Sequence, residues 1–562
     1  MTDNAPRSET QVAYHRRRLE ELKAIRNPWE SEWRGLARVI EPSRLRLDVN
    51  AEGPFSRAAI VDSTGTFALR TLQSGMHSGV TSPARPWFRL TTFDPKLKDY
   101  APVKEYLSLV ENRMREIFQA SNVYNAFHTG YGDLGQFGQS CGLLIEDGDK
   151  TVRMQQCTHG MFWLARDETG RATTLYRRFR WSVQRIVTRF GLKNVSQSIK
   201  TQWDAGHYDT VFTIYHAVEP RLNRDPSKAT KQNKLLLSNY WEEGSNENKL
   251  LEESGFDDNP IIAPPWELSA DDQYAVSPGM VAAGDVRMLQ REQTRKLEAI
   301  DKLVRPPMTG PTSMRNNPAS LLPGAITYTD DPTGKGFRPA MEVRLSINEL
   351  AADIRETQDR VNRAFYADLF LMLSQMEGIQ PRNQFEIAER KEEKLLALGP
   401  VLENIYNGQL EPVIDRTYQI MNRRDMLPPP PTELQNGEMK VEYISMLAQA
   451  QKAVATGGIE RFSGFVGQLS AVKPEVMDKF DADEAIDVYG DMLGVTPSII
   501  VPDDEVLKIR QSRAKEQAAA KNAEMMATVA PAMKQGADAA AVLASAQENA
   551  GGSQLLSSLG LN

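Results

Sequence analysis

Cysteine is nearly missing from the 562 residues: Cys141 and Cys157 are the two present. That excludes a disulfide scaffold and a multi-cysteine zinc site. Histidine is scarce as well. His15, His77, His128, His159, His207 and His216 are scattered, with none in H-E-x-x-H, so the pattern of a zinc hydrolase is missing. Positive charge is in deficit: Lys+Arg 67 against Asp+Glu 74 leaves a net −7. Proteins that grip nucleic acid by neutralising phosphates are usually basic, so a tight DNA embrace is disfavoured. No apolar run approaches the ~18 residues that span a bilayer. Met1 to Arg18 is polar and then basic, without the apolar stretch of a signal peptide. A Walker A loop is also lacking: Gly334-Lys335 runs into Gly336 and has no upstream glycine at the right spacing.

What is there is an ordinary globular balance, 25% charged and 41% hydrophobic, enough at ~150 residues per domain for three or four modules. The spacing predicts a first helix carrying Val12, Leu19, Leu22 and Ile25, with Trp29 and Trp33 one turn apart and Pro42 beyond its end. Arg16-Arg17-Arg18 on it reads as a solvated face or subunit contact. Asp62 to Gly79 reads as a helix with small residues on one face, followed by a Pro-rich exit through Leu90. Residues 103 to 120 form an amphipathic helix marked by Val103, Leu107, Val110, Met114, Ile117 and Phe118. Gly142 to Gln155 reads as a hairpin with a four-residue loop that sets the two cysteines opposite one another as reduced thiols. Strands are expected through about residue 220, including Thr174 to Trp181 and Tyr208 to His216.

The middle of the chain changes character. Ser277-Pro278 is an N-cap followed by proline at the first helical position. A rod of about 40 Å then runs to Val304, with Val286, Leu289, Gln293, Leu297, Ile300 and Val304 on its seam. A second rod of about 46 Å runs from Ser346 to Met376. It opens with a Ser346/Glu349 capping box and a Leu345/Leu350 staple, and Ile347, Leu350, Ile354, Val361, Phe365, Leu369 and Met372 line its seam. Residues 305 to 345 between the rods hold one β-like piece, Ala325 to Thr329. A lone hairpin of two narrow seams buries neither well, and copies of itself would. Next come a polar loop at 378 to 384, a long helix from Phe385 to Arg424 interrupted at Gly399-Pro400 and Pro412, and the stiff Pro428 to Pro431 linker. Four helices follow, Met439 to Ala455, Ile459 to Leu469, Ala482 to Leu493 and Asp503 to Arg513. An Ala-rich tail begins near residue 517.

Motifs for chemistry are weak. Gly130-Tyr-Gly132-Asp-Leu-Gly135 matches G-x-G-x-x-G but follows a helix-like stretch, and position 155 is Gln rather than an acid. Ser74 to Gly79 places His77 where a nucleophilic serine would stand. The acid pairs Asp257-Asp258, Asp271-Asp272, Asp330-Asp331 and Asp503-Asp504 are the best start for a metal-dependent hydrolase or nuclease.

Several blocks share a likeness. Asp62-Ser-Thr-Gly65 with Ser78 to Leu90, Tyr274-Ala-Val-Ser-Pro-Gly279, Leu398-Gly-Pro400 with Gln409-Leu-Glu-Pro412, Val441 to Gln451 and Glu505 to Arg510 resemble, in order and spacing, the head-to-tail connecting (portal) proteins of short-tailed bacteriophages. The resemblance covers roughly residues 10 to 515. It implies a mainly α chain with smaller α+β parts, folded as wing, stem, clip and crown and assembled as a ring of usually twelve subunits at one capsid vertex of the virion, built in the host cytoplasm. On that plan residues 1–276 and 385–437 are wing, 277–304 and 346–376 stem, 305–345 clip, 377–384 tunnel loop, 438–516 crown and 517–562 a tail that could extend a barrel. It implies no catalysis, no metal and no cofactor. Double-stranded DNA would pass through the channel, near Gln380, Arg382, Asn383 and Gln384 of the loop and Lys302, Arg355 and Arg363 of the rods. The clip, with Arg305, Arg315, Tyr328, Lys335 and Arg338, would dock the terminase large subunit and a tail adaptor, and the ring would meet major capsid and scaffolding proteins, with no membrane. The competing readings are the hydrolase or nuclease above and another tail or scaffold structural protein.

Overall fold

The computed structural model describes residues 9–48, 56–94, 97, 100–225, 230–245, 249–269, 271–304, 308–309, 338–339, 347–375, 398–434, 439–445, 447–448, 462–470, 473–493, 501 and 505–520. They fall into two compact units divided at Gly457/Gly458. The chain is mainly α with antiparallel sheets.

The first unit opens with α1 (Gln11–Val39), capped by Thr10. Its buried residues Val12, His15, Leu19, Leu22 and Arg26 recur at helical spacing, whereas Ile25 is exposed. The Arg16 to Arg18 run is spent on the surface, with Arg17 and Arg18 both paired to Glu21. Next come α2 (Thr64–Val80), β1 (Phe88–Thr92), α3 (Ala101–Ala120) and α4 (Val123–Phe137). The predicted apolar face of α3 is buried at all six marked positions. The G-x-G-x-x-G stretch lies inside α4, not in a loop. A side chain at Gly132 would collide with the guanidinium of Arg44, which needs that space to reach Asp133 Oδ1 at 3.0 Å and Gln73 Oε1 at 2.6 Å.

The hairpin is β2 (Gly142–Asp147) and β3 (Thr151–Gln156). Asp147 pairs with Thr151, so its loop is one residue shorter than expected. A five-stranded antiparallel sheet follows, in the order β4-β5-β6-β7-β8. Its strands are β4 (Phe162–Arg166), β5 (Ala172–Ser182), β6 (Val211–Pro220), β7 (Leu236–Glu242) and β8 (Glu252–Phe256). Between β5 and β6 sit two helices that the strand pattern hides, α5 (Val183–Phe190) and α6 (Gln197–Asp204). The short β9 (Ile261–Ile262) closes on β2.

One face of the five-stranded sheet packs on α1: Trp163, Tyr176, Tyr215 and Trp241 meet Val12, Leu19 and Leu22. His15 is locked there, its Nδ1 2.8 Å from the Tyr176 hydroxyl and its Nε2 3.0 Å from Asn239. Burial pushes its pKa down to about 3, so it is neutral. Arg26 donates to the carbonyls of Gly160 and Phe162, pairs with Glu30 at 2.6 Å and lies over Trp163 at 4.3 Å.

Ser277 caps α7 (Pro278–Val281), its hydroxyl accepting from the Met280 amide. After a break at Ala282 the chain continues as α8 (Ala283–Val304). The strand pair β10 (Met308–Thr309) and β11 (Arg338–Pro339) is what is described of 305–345. Ala325 to Thr329 and Ser346 lie outside the described residues. The second rod is two helices, α9 (Ile347–Ala364) and α10 (Ala367–Gln375), because Tyr366 adopts a left-handed φ of 54° that a continuous α-helix cannot hold. Then α11 (Gly399–Ile405) runs through the π turn Tyr406–Leu410 into α12 (Glu411–Arg423). The expected interruption at Pro412 is thus absorbed by a π turn just before it, a known way to fit such a residue into a helix.

Met439–Tyr443 is a strand, β12, rather than the start of a helix. It pairs antiparallel with β1, Phe88 opposite Tyr443, and Leu447 enters the same core. In the second unit, Pro474–Lys479 is a 3-10 turn, and residues 462–470, Ala482–Leu493 and 505–520 are helical. Arg510 forks onto both carboxylate oxygens of Asp483.

Candidate functional site

The two long helices and their root form the place where this fold is least self-contained. Arg360 of α9 bonds Asp285 of α8 at 3.2 Å, and Glu292 of α8 faces Asp353 of α9. Both pairs step in opposite directions along the two helices, so the helices run antiparallel. Partial burial, and then the nearby Asp353 carboxylate, push the Glu292 carboxyl up.

The root is built on α2. Gly75 lies against the ring of Phe370 from α10, leaving no room for a Cβ. At the head of α2, Asp62 ties both long helices at once. Its Oδ2 accepts from Gln293 of α8 and from Gln358 of α9, each at 3.0 Å. Its Oδ1 accepts from the Thr64 amide at 2.8 Å, while Gln290 bonds the backbone of Asp62 in both directions. One buried carboxylate thus gathers donors from three helices. The sequence carries a hint of this, since Gln293 is the polar residue on an otherwise apolar seam; its partner 231 positions away leaves no local sign.

Along α8 the seam changes partners. Val286 and Leu289 are fully buried near the root, and Val286 packs in one cluster with Leu36, Ile40, Ala68 and Leu69. Farther out, Ala299 is buried but Leu297, Ile300 and Val304 are 58%, 37% and 73% exposed. Residues spaced three and four apart share one helix face, so these three make an apolar stripe that α9 leaves bare.

Lys302, Arg355 and Arg363 are all exposed on these helices. They do not converge: by the antiparallel register Lys302 is about 18 Å along the axis from the level of Arg355, at 1.5 Å per residue. Arg338 lies in β11. Gln380, Arg382, Asn383, Gln384, Arg305, Arg315, Tyr328 and Lys335 lie outside the described residues. Among the described residues no group of three His, Cys, Asp or Glu side chains gathers to hold a metal, and no helix is long and apolar enough to cross a membrane.

The family model for the bacteriophage head to tail connecting protein matches residues 13–501. The portal protein of Salmonella phage epsilon15 is 44% identical over 520 residues, 91% of this chain and 93% of that protein. The probable portal protein of Bordetella phage BPP-1 is 44% identical over 533 residues, 94% of each. A solved virion of the native gene transfer agent particle aligns with 66% of this chain and 88% of that one, at 9% identity and a TM-score of 0.27; so loose a superposition carries no argument about fold.

Proposed function

The chain belongs to the family of bacteriophage head to tail connecting proteins, and from that premise we propose that it works as a portal: a ring at one capsid vertex through which double-stranded DNA enters during packaging and leaves on ejection. The protein does this without chemistry of its own.

The observation that carries the ring is the bare stripe of Leu297, Ile300 and Val304. Each apolar side chain removed from water contributes up to ~1.5–3 kcal/mol. Among the described residues of one chain nothing seals the stripe, and the α8–α9 pair of a neighbouring copy would cover it. A head-to-tail contact of this sort closes into a ring when its rotation closes. In that ring α8 and α9 with α10 are the stem, residues 305–345 the clip that docks the terminase large subunit and tail adaptor, and residues 377–384 the tunnel loop. The β-rich part before residue 277 is the wing, and the second unit contributes the crown.

Net charge then serves transport. Each subunit adds −7, and a mainly acidic wall keeps a polyanion from sticking, with single basic side chains such as Lys302, Arg355, Arg363 and Arg382 centring it.

Negative-stain imaging of the purified full-length protein tests the reading. Rings with a central hole are expected. The double variant Leu297→Asp/Ile300→Asp should stay monomeric with unchanged circular dichroism. A wild type that stays monomeric at high concentration would sink the proposal.

A further inference from the structure

The base of the β2–β3 hairpin holds an arrangement that ring assembly does not use. Cys141 and Cys157 stand one step beyond the Gly142–Gln156 pair, and the Cys157 amide donates to the Cys141 carbonyl at 2.9 Å. Directly opposed residues of this hydrogen-bonded kind have Cα atoms about 5.5 Å apart, within the span of a disulfide. Both side chains are buried and reduced.

Two guanidiniums flank the pair, Arg177 buried and Arg166 half-buried. Arg177 bonds His216 Nδ1 and Gln155 Oε1, each at 2.8 Å. Arg166 bonds Gln139 Oε1 and the carbonyls of Gly170, Ala263 and Gln273. Neither makes an ion pair with a carboxylate among the described residues. A buried cation without a paired counter-charge is costly, and a thiolate at Cys157 beside Arg177 would supply one. The hydrogen bond from Cys141, then the charge of Arg177, hold the Cys157 thiol below its usual range. Burial, then the same hydrogen bond, push the Cys141 thiol up. Cys157 also keeps 7% of its surface exposed whereas Cys141 keeps none, so an oxidant meets Cys157 first and Cys141 stands behind it.

We propose that Cys141 and Cys157 form a peroxide-reactive dithiol in which Cys157 is oxidised first and Cys141 closes a disulfide across the base of the hairpin. The Cys157 thiolate attacks one oxygen of hydrogen peroxide. The O–O bond breaks, hydroxide leaves, and Cys157 becomes a sulfenic acid. Cys141 then gives up its proton and attacks the Cys157 sulfur, the S–O bond breaks, and the oxygen departs as water. Two electrons pass from the two thiols to the peroxide. A particle that leaves a reducing cytoplasm meets such oxidants, and the closed bridge would pin both ends of a hairpin whose Leu144, Val152 and Met154 enter the main core. The biological setting rests on the portal reading; the thiol chemistry does not.

The test is a thiol count. Reduced full-length protein is exposed to hydrogen peroxide, quenched in denaturant and titrated with a chromogenic disulfide. Free thiols should fall from two per chain to none, with no intermolecular species on a non-reducing gel and a 141–157 cross-linked peptide by mass spectrometry. Cys141→Ser, quenched into dimedone, should carry one sulfenic-acid adduct at Cys157. Cys157→Ser should keep its remaining thiol at least tenfold longer. Two thiols surviving in peroxide-treated wild type whose tryptophan fluorescence stays native would overturn the proposal, as would faster oxidation of Cys141 than of Cys157.

Discussion

The sheet-and-α1 module and the outer half of α8 are made of similar residues but stand differently in water. In the module, Trp163, Tyr176 and Trp241 are sealed under α1, and even a histidine and an arginine are fully bonded inside. On outer α8, apolar residues at regular spacing point into solvent. The first region closes its core within one chain; the second leaves its apolar face uncovered among the described residues. Amphipathic periodicity alone does not tell the two apart, because it reports which face is apolar and not what covers it.

The comparison breaks most visibly in the module. Trp163→Ala should cost about 3–5 kcal/mol, by cavity formation and by loss of the ring under Arg26, measured as a lower denaturation midpoint in urea. Acid should act on the same region next. His15, His159 and His216 are held neutral, each mainly by burial. Their folded pKa values lie below the unfolded one, so the unfolded chain binds more protons as pH drops below about 6.5. Each therefore removes on the order of 1 kcal/mol per pH unit on the way down. Tryptophan-detected unfolding curves at pH 7 and 5.5 should show that loss, and a His216→Gln variant should be less acid-sensitive than wild type.

The boundary between the two regions gives a smaller effect. Asp62→Ala leaves Gln293, Gln358 and the Thr64 amide without their acceptor and should cost about 1–3 kcal/mol. Hydrogen exchange should rise at the roots of α8 and α9 while β5 to β7 stay protected; uniform loosening of both would remove Asp62 as a specific tie. Smallest of all, Leu297→Ala should change the stability of an isolated chain by no more than ~0.5 kcal/mol, yet shift the ring–monomer equilibrium toward monomer in sedimentation. A large loss of monomer stability instead would mean that the stripe is core.

Much of this architecture is legible along the chain wherever the determining contacts are local. The helices α1, α3 and α8 follow from three- and four-residue spacing, the cap at Ser277 from a hydroxyl before proline, and the cysteine-flanked hairpin from its turn. The two helices after Ser182 are missed because each has only eight residues, too few for a helical period to stand out among strands. Of the candidate site, Lys302, Arg355 and Arg363 lie exposed on α8 and α9, whereas Asp62 stayed hidden in a block of small residues because its partners lie 231 and 296 positions away.

By itself, then, the sequence determined the helical and strand periods, the family likeness and a net charge of −7, since each depends on composition or on neighbours within a turn. Tertiary structure decided the rest. Met439–Tyr443 became a strand because the edge of β1 offered hydrogen bonds to its backbone, and its Met439, Val441, Tyr443 alternation suits either choice until that edge is present. The second rod broke at Tyr366 where α10 turns to meet Gly75. Arg177, twenty residues beyond Cys157, reaches His216 only through the pairing of β5 with β6. Long-range pairing sets these outcomes because a backbone edge, a packing partner and a buried charge act through space.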